Sequence, residues 1–313
     1  MKNIEISVVV PVYNEEDNID TFITNVTQVL NKINKIYEII FVLDPSSDDT
    51  EKKILENIKK NNNIKLLIMS RKFGQPVATI AGIENCIGNF CIIIDVDLQD
   101  PPELIEEMYK KVNDENLDVV YAVRKSRKGE TLIKKIITKF GYKLINTLSD
   151  FDIPKNAGDF RIISRRVINE LKKFDEKESF LRGLVSYIGF KQKHIFFDRN
   201  ERNLGSSKYN KYFGSLKIGI NGIVGFSSKP LFIMALAGFI LALVSFLFGA
   251  WYLIQKITGV NLTPGLTTTV ILISFYSGIQ LFGLGLLGEY VGRISEEVKK
   301  RPKYILDKKI NFN

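Results

Sequence analysis

The sequence predicts an α/β fold, a mostly parallel sheet with helices on both faces, followed by an interfacial helix and a two-helix transmembrane hairpin. Three observations carry this. Short apolar, β-branched runs alternate with helix-length segments through the first 123 residues; residues 230–254 and 257–288 contain no Asp, Glu, Lys or Arg; and a polar or charged cluster directly follows each early apolar run. Strands alternating with helices imply parallel βαβ units, and uncharged spans of this length can cross a bilayer.

The first unit is the run 4–10, ended by Pro11 and followed by Asn14, Glu15, Glu16 and Asp17, acidic residues suited to the positive end of a helix. The pattern repeats: a strand over 37–43 and a helix from about Asp48, a strand over 64–69 and a helix from about Gln75, a strand over 90–94 and a helix from about Pro102, then a strand over 119–123. A basic amphipathic helix is expected from about 131 to 148, strands at 160–163 and 195–198, and a helix near 165–172. Residues 199–210 read as a loop, and 211–226 place Tyr212, Leu216, Ile220, Ile223 and Val224 near one helical face, as an interfacial helix would. The expected domains are therefore 1–210, globular; 211–228, interfacial; 229–292, with transmembrane helices at about 230–254 and 266–290; and 293–313, a basic tail.

Charge sets the orientation. The net charge is +9, of which residues 229–313 contribute nine Lys/Arg against four Asp/Glu, or +5. Lys229 precedes the first span and Arg293, Lys299, Lys300 and Arg301 follow the second, while the connection carries only Lys256. The positive-inside rule then places both chain ends, and the globular domain, on the cytoplasmic face of the cell membrane. Residues 199–217 hold five basic residues and one acid, Glu201; next to apolar spans this favours lipid phosphate over nucleic acid, which is not expected as a partner. The start of the chain lacks the apolar core of a signal peptide, and Cys86 and Cys91 read as buried thiols in a reducing compartment.

The chemistry gathers at the strand ends. Asp95 and Asp97, two apart, converge with Gln99 beyond the fourth strand, an oxygen-only set that favours Mg²⁺ or Mn²⁺ over Zn²⁺; taken alone, the pair is equally a solvated turn capping the next helix, and Asp100 stands between cap and site. Tyr13, Asn14 and Glu15 after the first strand, Asp44 to Thr50 after the second and Arg71 to Gln75 after the third reach the same edge, so one crevice collects acids for a cation and bases for a polyanion. Neither Gly-x-x-x-x-Gly-Lys-Ser/Thr nor Gly-x-Gly-x-x-Gly is present, which removes P-loop and dinucleotide sites. Asp159 is either functional or a structural partner of Arg161 or Arg165, and the one histidine, His194, reads as structural. Glu289 reads equally as an interface residue or a polar site, and Gly283, Gly285 and Gly288 suggest close helix packing and a homo-oligomer.

Val8-Val9-Val10-Pro11-Val12-Tyr13-Asn14-Glu15-Glu16, Ser70-Arg71-Lys72-Phe73-Gly74-Gln75, Asp95-Val96-Asp97-Leu98-Gln99-Asp100-Pro101-Pro102 and Gly158-Asp159-Phe160-Arg161 resemble family 2 glycosyltransferases of the Rossmann-like GT-A fold. Gly205-Ser206-Ser207-Lys208-Tyr209, Phe226-Ser227-Ser228-Lys229-Pro230-Leu231, Gly288-Glu289-Tyr290-Val291-Gly292-Arg293 and Lys300-Arg301-Pro302-Lys303-Tyr304 extend the resemblance along nearly the whole chain. They place it with the polyprenyl-phosphate glycosyltransferases, the bactoprenol glucosyltransferase and dolichol-phosphate mannose synthase type.

The resemblance implies roles. Pro11, Tyr13, Glu15 and Asp44 would surround the nucleoside, with Lys72, Gln75, Asp95 and Val96 completing the nucleotide-sugar site; Asp95, Asp97 and Gln99 would serve the metal and diphosphate. Asp159 and Asp97 would be catalytic, Asp159 as base or orienter, and Arg161, Arg202 and Lys208 would meet acceptor phosphate. The family's Asp-Asp-Gly-Ser is Leu43-Asp44-Pro45-Ser46 here, which leaves the nucleobase open, and the Gln-x-x-Arg-Trp of processive synthases is absent, which implies one sugar per turnover. The implied reaction is inverting transfer of a hexose, glucose favoured, from a nucleotide sugar, UDP-glucose favoured, to polyprenyl phosphate for a cell-surface glycan or its modification. Alternatives are a mannosyl or N-acetylhexosaminyl transferase of the same design, or a non-catalytic nucleotide-sugar-binding membrane adaptor assisting a flippase.

Overall fold

The computed structural model describes residues 4–124, 157–176, 180–198, 227–258 and 265–312. The chain divides into two compact units, one of Met1–Asn146, Phe151–Gly219 and Pro302–Asn313 and another of Thr147–Asp150 and Ile220–Arg301.

The first unit is built on β1 (Ile6–Val12), α1 (Ile19–Ile33), β2 (Tyr37–Leu43), α2 (Thr50–Lys60), β3 (Ile64–Met69), α3 (Gln75–Asn85), β4 (Phe90–Ile93), α4 (Leu104–Asp114) and β5 (Val119–Arg124), followed by β6 (Ala157–Ser164), α5 (Arg165–Leu171), α6 (Leu181–Ile188), β7 (Gln192–Phe197) and β8 (Leu306–Ile310). Among the described residues these strands form one eight-stranded sheet in the order β7-β5-β6-β4-β1-β2-β3-β8. The β1–β2, β1–β4, β2–β3 and β5–β7 pairs are parallel, whereas β6 is antiparallel to both β4 and β5, and β8 to β3.

Period-two alternation makes this a three-layer unit. Ile6, Val8, Val10 and Val12 join Ile39, Phe41 and Leu43 in a core completed by Phe22 and Val26 of α1 and Ile105 and Met108 of α4. Phe22 meets Phe41 edge-on at 6.1 Å. The alternate side chains Val9 and Val42 face α3, which approaches so closely that a Cβ on Gly82 would stand 2.2 Å from Val9 Cγ1. Each fully buried aliphatic side chain contributes about 1.5–3 kcal/mol, so the central strands carry most of the unit's stability.

Pro11 lies within β1 rather than ending it, in register with Val42. Val9 uses its carbonyl toward the β4 side, accepting from Ile94, so the missing N–H of Pro11, two residues on, also faces that side, past the last β1–β4 pair. No ladder bond is lost. Two other expectations shift: α4 begins at Leu104, with the amides of Leu104 and Ile105 turning back onto the carbonyls of Pro101 and Pro102, and the tail after residue 293 is not simply a basic extension. It continues a helix to Val298 and then returns as β8 to the sheet.

The second unit contains α7 (Lys229–Ile257) and α8 (Leu266–Val298). Among the described residues one segment, Lys229–Trp251, is long and apolar enough to cross a membrane, and its side chains are not buried within the protein. Phe246 is 73% exposed and Phe232 68%, a surface that water covers poorly. Of the three glycines read as packing positions, only Gly283 is close to a neighbour among the described residues, its Cβ position 3.0 Å from Met234 Cε, while Gly285 and Gly288 meet none of them within 4 Å. The expected helices over 131–148 and 211–226 lie outside the described residues.

Candidate active site

The carboxyl ends of β1 to β5 and the start of antiparallel β6 share one edge of the sheet. The β4–β6 register pairs Ile93 with Arg161. Continued two residues outward on each strand, it brings Asp95 alongside Asp159 although they are far apart in sequence. This is where the candidate residues meet.

The β1 and β2 ends are laced together. Asn14 donates its amide to Ser46 Oγ at 2.9 Å and accepts at Oδ1 from the Ser47 amide at 2.8 Å, and the Glu15 amide donates to Thr50 Oγ1 at 2.9 Å. Asp44, 2% exposed, accepts from the amides of Phe73 and Gly74 at 3.0 and 2.8 Å. Its carboxylate therefore orders the loop after β3, which turns at Gly74 with φ +93°, a conformation that glycine tolerates and L side chains rarely adopt. The ordered loop puts Lys72 Nζ 3.4 Å from the centre of the Tyr13 ring, a cation–π contact, and Gln75 Nε2 2.7 Å from Asp95 Oδ1. Tyr13, Asp44, Lys72, Gln75 and Asp95 thus come together in space; Pro11 and Val96 are buried backbone positions beside them.

Asp95, Asp97 and Gln99 are all partly exposed, whereas Val96 and Leu98 between them are buried. Leu98 adopts φ +56°, a left-handed geometry costing about 1–2 kcal/mol, held by burial of its side chain, and the Gln99 amide donates to Asp97 Oδ1 at 3.2 Å. Enclosure, followed by the carboxylates of Asp100, Asp159 and Asp97, pushes the Asp95 carboxyl up to about 8, against a smaller opposing pull from Arg124. Among the described residues no three His, Cys, Asp or Glu side chains form a ready-made metal nest. Two carboxylates and a carboxamide nevertheless fit a hard cation that keeps several positions open for phosphate oxygens.

Asp159 is held differently. Arg182, at the start of α6, donates Nε to Oδ1 at 2.9 Å and a terminal nitrogen to Oδ2 at 3.3 Å, and Arg161 stands 4.0 Å from Oδ1. Burial alone would raise the Asp159 carboxyl, but Arg182, then Arg161 and Arg124, bring it below the ordinary carboxylate range. Of the two expected partners Arg161 is therefore present and Arg165 is not, since it points to backbone at Cys86 and Gly88, and the closer partner is Arg182. Arg161, expected to meet phosphate, is 3% exposed and donates to the carbonyls of Gly158 at 2.9 Å and Asp159 at 3.3 Å; burial pulls its guanidinium down to about 10. Arg202 and Lys208 lie outside the described residues. His194 packs its ring 4.7 Å from Phe196 and 5.9 Å from Tyr121.

Sequence reasoning missed Arg182 and Arg124. Arg124 lies 3.6 Å from Asp100, which is 3% exposed; Asp100 is thus an ion-pair partner rather than a helix cap, the α4 cap position being Glu103. No local motif marks either arginine, and only the β4–β6–β5 arrangement and the placement of α6 bring them to the acids.

The model for glycosyl transferase family 2 matches residues 7–172, which contain every strand end just described up to Arg161. The chain belongs to glycosyl transferase family 2. The transferase is 41% identical over 97% of its length to an uncharacterized glycosyltransferase, sll0501, of Synechocystis sp., covering 95% of that protein. It is 38% identical over 97% of its length to the SfII prophage-derived bactoprenol glucosyl transferase of Shigella flexneri, covering 98% of it. Among solved structures, the mannosyltransferase PcManGT of Pyrobaculum calidifontis, in complex with GDP-Man and Mn²⁺, aligns with 95% of the transferase and 86% of its own chain at 15% identity and TM-score 0.49.

Proposed function

We propose that the transferase moves a hexose, glucose favoured, from a nucleotide sugar, UDP-linked in the favoured case, to a polyprenyl phosphate at the cytoplasmic face of a membrane. The observation that carries this reading is the meeting of the Asp95–Asp97 pair with the arginine-held Asp159 at one sheet edge. Similarity to bactoprenol glucosyl transferases along 97% of the chain, both long helices included, supports the lipid acceptor.

In the proposed reaction an acceptor phosphate oxygen attacks the anomeric carbon, a new C–O bond forms, and the bond to the nucleoside diphosphate breaks with its electron pair leaving on that diphosphate. In-line attack inverts the anomeric centre. A phosphate monoester has its second pKa near about 6, so the acceptor is already mostly dianionic at neutral pH and needs no strong base. Asp159, fixed by two bonds from Arg182, orients the acceptor or a sugar hydroxyl. Tyr13, Lys72 and Gln75 line the donor side, Lys72 offering its charge to the diphosphate. Asp95, Asp97 and Gln99 would hold Mg²⁺ or Mn²⁺, which when bound supplies charge neutralisation to the leaving diphosphate.

Membrane placement follows from α7, from the absence of Asp, Glu, Lys and Arg in residues 266–288 of α8, and from chain connectivity. The chain enters α7 after one part of the globular unit and returns as β8 to the same sheet, a connectivity that supports the reading of a hairpin over a single crossing. Lys229 at the start of α7 and Arg293, Lys299, Lys300 and Arg301 at the end of α8 support a cytoplasmic position for both ends by the positive-inside rule.

The test is a panel of labelled nucleotide sugars incubated with the purified full chain, Mn²⁺ or Mg²⁺ and polyprenyl phosphate, with the product anomer read by NMR. One productive donor and a β-linked product from an α-linked donor are expected. Retention of the α anomer would refute inversion, and absence of any lipid-linked product would favour the non-catalytic adaptor.

A further inference from the structure

The segment that follows α8 does more than lie on the sheet edge. Leu306 to Ile310 pairs antiparallel with Leu66 to Met69, and the next residue of the chain on the β3 side, Ser70, donates its amide to the Ile305 carbonyl at 2.9 Å. Side chains of the same segment then grip the far end of α3. The Tyr304 hydroxyl donates to Glu84 Oε2 at 2.8 Å and accepts from Asn85 Nδ2 at 3.2 Å; Lys303 Nζ lies 3.3 Å from Glu84 Oε1 and also donates to the Phe174 carbonyl; Lys309 Nζ donates to Asn85 Oδ1 at 2.7 Å. Burial, with the Glu84 charge next, pushes the Tyr304 hydroxyl well up, which keeps it protonated as the donor of its bond to Glu84.

Ser70 to Asn85 is therefore anchored by the tail at both ends. Between those anchors lie Lys72, against the Tyr13 ring, and Gln75, on Asp95. The loop's other described support is Asp44 beneath Phe73 and Gly74. A strand serving only to cover a sheet edge needs the ladder with β3 and nothing more. The clamp on α3 is an added device, and α3 runs from that clamp straight to Gln75.

We propose that residues 303–310 form a strap that positions the donor-side loop 70–75, with Tyr304 as its principal positioning residue. This rests on the reading of that loop as part of the nucleotide-sugar site. The strap fixes where Lys72 and Gln75 stand without touching substrate, so loosening it weakens donor binding and leaves the acceptor side alone.

The experiment uses the full chain in lipid nanodiscs, with Tyr304→Phe, Glu84→Gln and, as a control on an exposed strap residue outside the clamp, Lys308→Ser. Amide hydrogen exchange is followed at residues 71–74, and KM is measured separately for nucleotide sugar and polyprenyl phosphate. Tyr304→Phe is expected to speed exchange at 71–74 by about fivefold, the scale of one lost hydrogen bond, and to raise donor KM by about three- to tenfold with kcat and acceptor KM within about twofold. Glu84→Gln, whose carboxamide still accepts from the tyrosine, is expected to fall between Tyr304→Phe and the parent, and Lys308→Ser to match the parent. Unchanged exchange and donor KM in Tyr304→Phe would overturn the strap, as would faster exchange spread evenly over β1 to β4. Should the parent transfer no sugar from any donor, the functional reading fails while the exchange measurement still decides the strap.

Discussion

Arg182 holds both carboxylate oxygens of Asp159, at 2.9 and 3.3 Å, from a short helix that begins 22 residues after it in the chain. A bidentate guanidinium fixes a carboxylate in direction as well as charge, so Asp159 is presented to the site in one orientation.

Removing that grip has a defined outcome. Arg182→Gln is expected to lower kcat/KM by roughly 10–100-fold, the range for losing a charge-assisted pair, and Arg182→Lys to recover only part of it because an ammonium cannot reproduce the fork. The pH profile separates this from simple misfolding. Enclosure raises the Asp159 carboxyl and the arginines more than offset it, so it stays ionised through the ordinary carboxylate range and is protonated only as pH falls through a depressed pKa. With Arg182 gone the enclosure dominates, and the acid limb of the rate profile moves to higher pH.

Asp95 behaves in the opposite sense. Its carboxyl, at about 8 instead of 3.8, keeps a proton at neutral pH in the metal-free protein, so the folded state loses stability as pH rises between those values. A divalent cation must displace that proton. Mn²⁺ is therefore expected to raise the thermal midpoint more at pH 8 than at pH 6, and titration calorimetry at pH 7 in buffers of different ionisation enthalpy is expected to show proton release. Equal stabilisation at both pH values, with no proton released, would contradict this assignment.

The opposite end of the sheet holds a buried ion pair that offers a stability test independent of activity. Glu38, buried in β2, meets Lys65 Nζ at 2.7 Å and accepts from the Ser7 hydroxyl at 2.5 Å and the Ile87 amide at 2.9 Å. Lys65→Met strands the charge and is expected to cost about 3 kcal/mol, seen as a lower thermal midpoint of the full chain; adding Glu38→Gln, which keeps an acceptor without the charge, is expected to restore most of it.

The parallel βαβ order and the DxD pair were legible because both are local. Apolar β-branched runs in β1 to β4 announce themselves, and Asp95, Asp97 and Gln99 are contiguous. Strand β8 was not legible: Leu-Asp-Lys-Lys-Ile is polar at three of five positions, and its pairing with β3 is made by backbone that carries no sequence signal. Arg182 was hidden for a related reason, since a lone arginine at the start of an eight-residue helix belongs to no motif, and its contact with Asp159 exists only after β6 inserts antiparallel beside β4. The family resemblance implies a place for Asp44 beside the nucleoside; that its carboxylate also holds the Phe73 and Gly74 amides is a contact across loops that spacing cannot reveal.

The most direct measurement of the central claim is transfer of label from UDP-glucose into the organic phase by the purified full chain in nanodiscs containing polyprenyl phosphate and Mn²⁺. A lipid-linked product is expected that depends on both the lipid and the cation and falls at least about 100-fold in Asp97→Asn. Product formation by Asp97→Asn at the parent rate, or no lipid-linked label from UDP-glucose or any other nucleotide sugar, would contradict it.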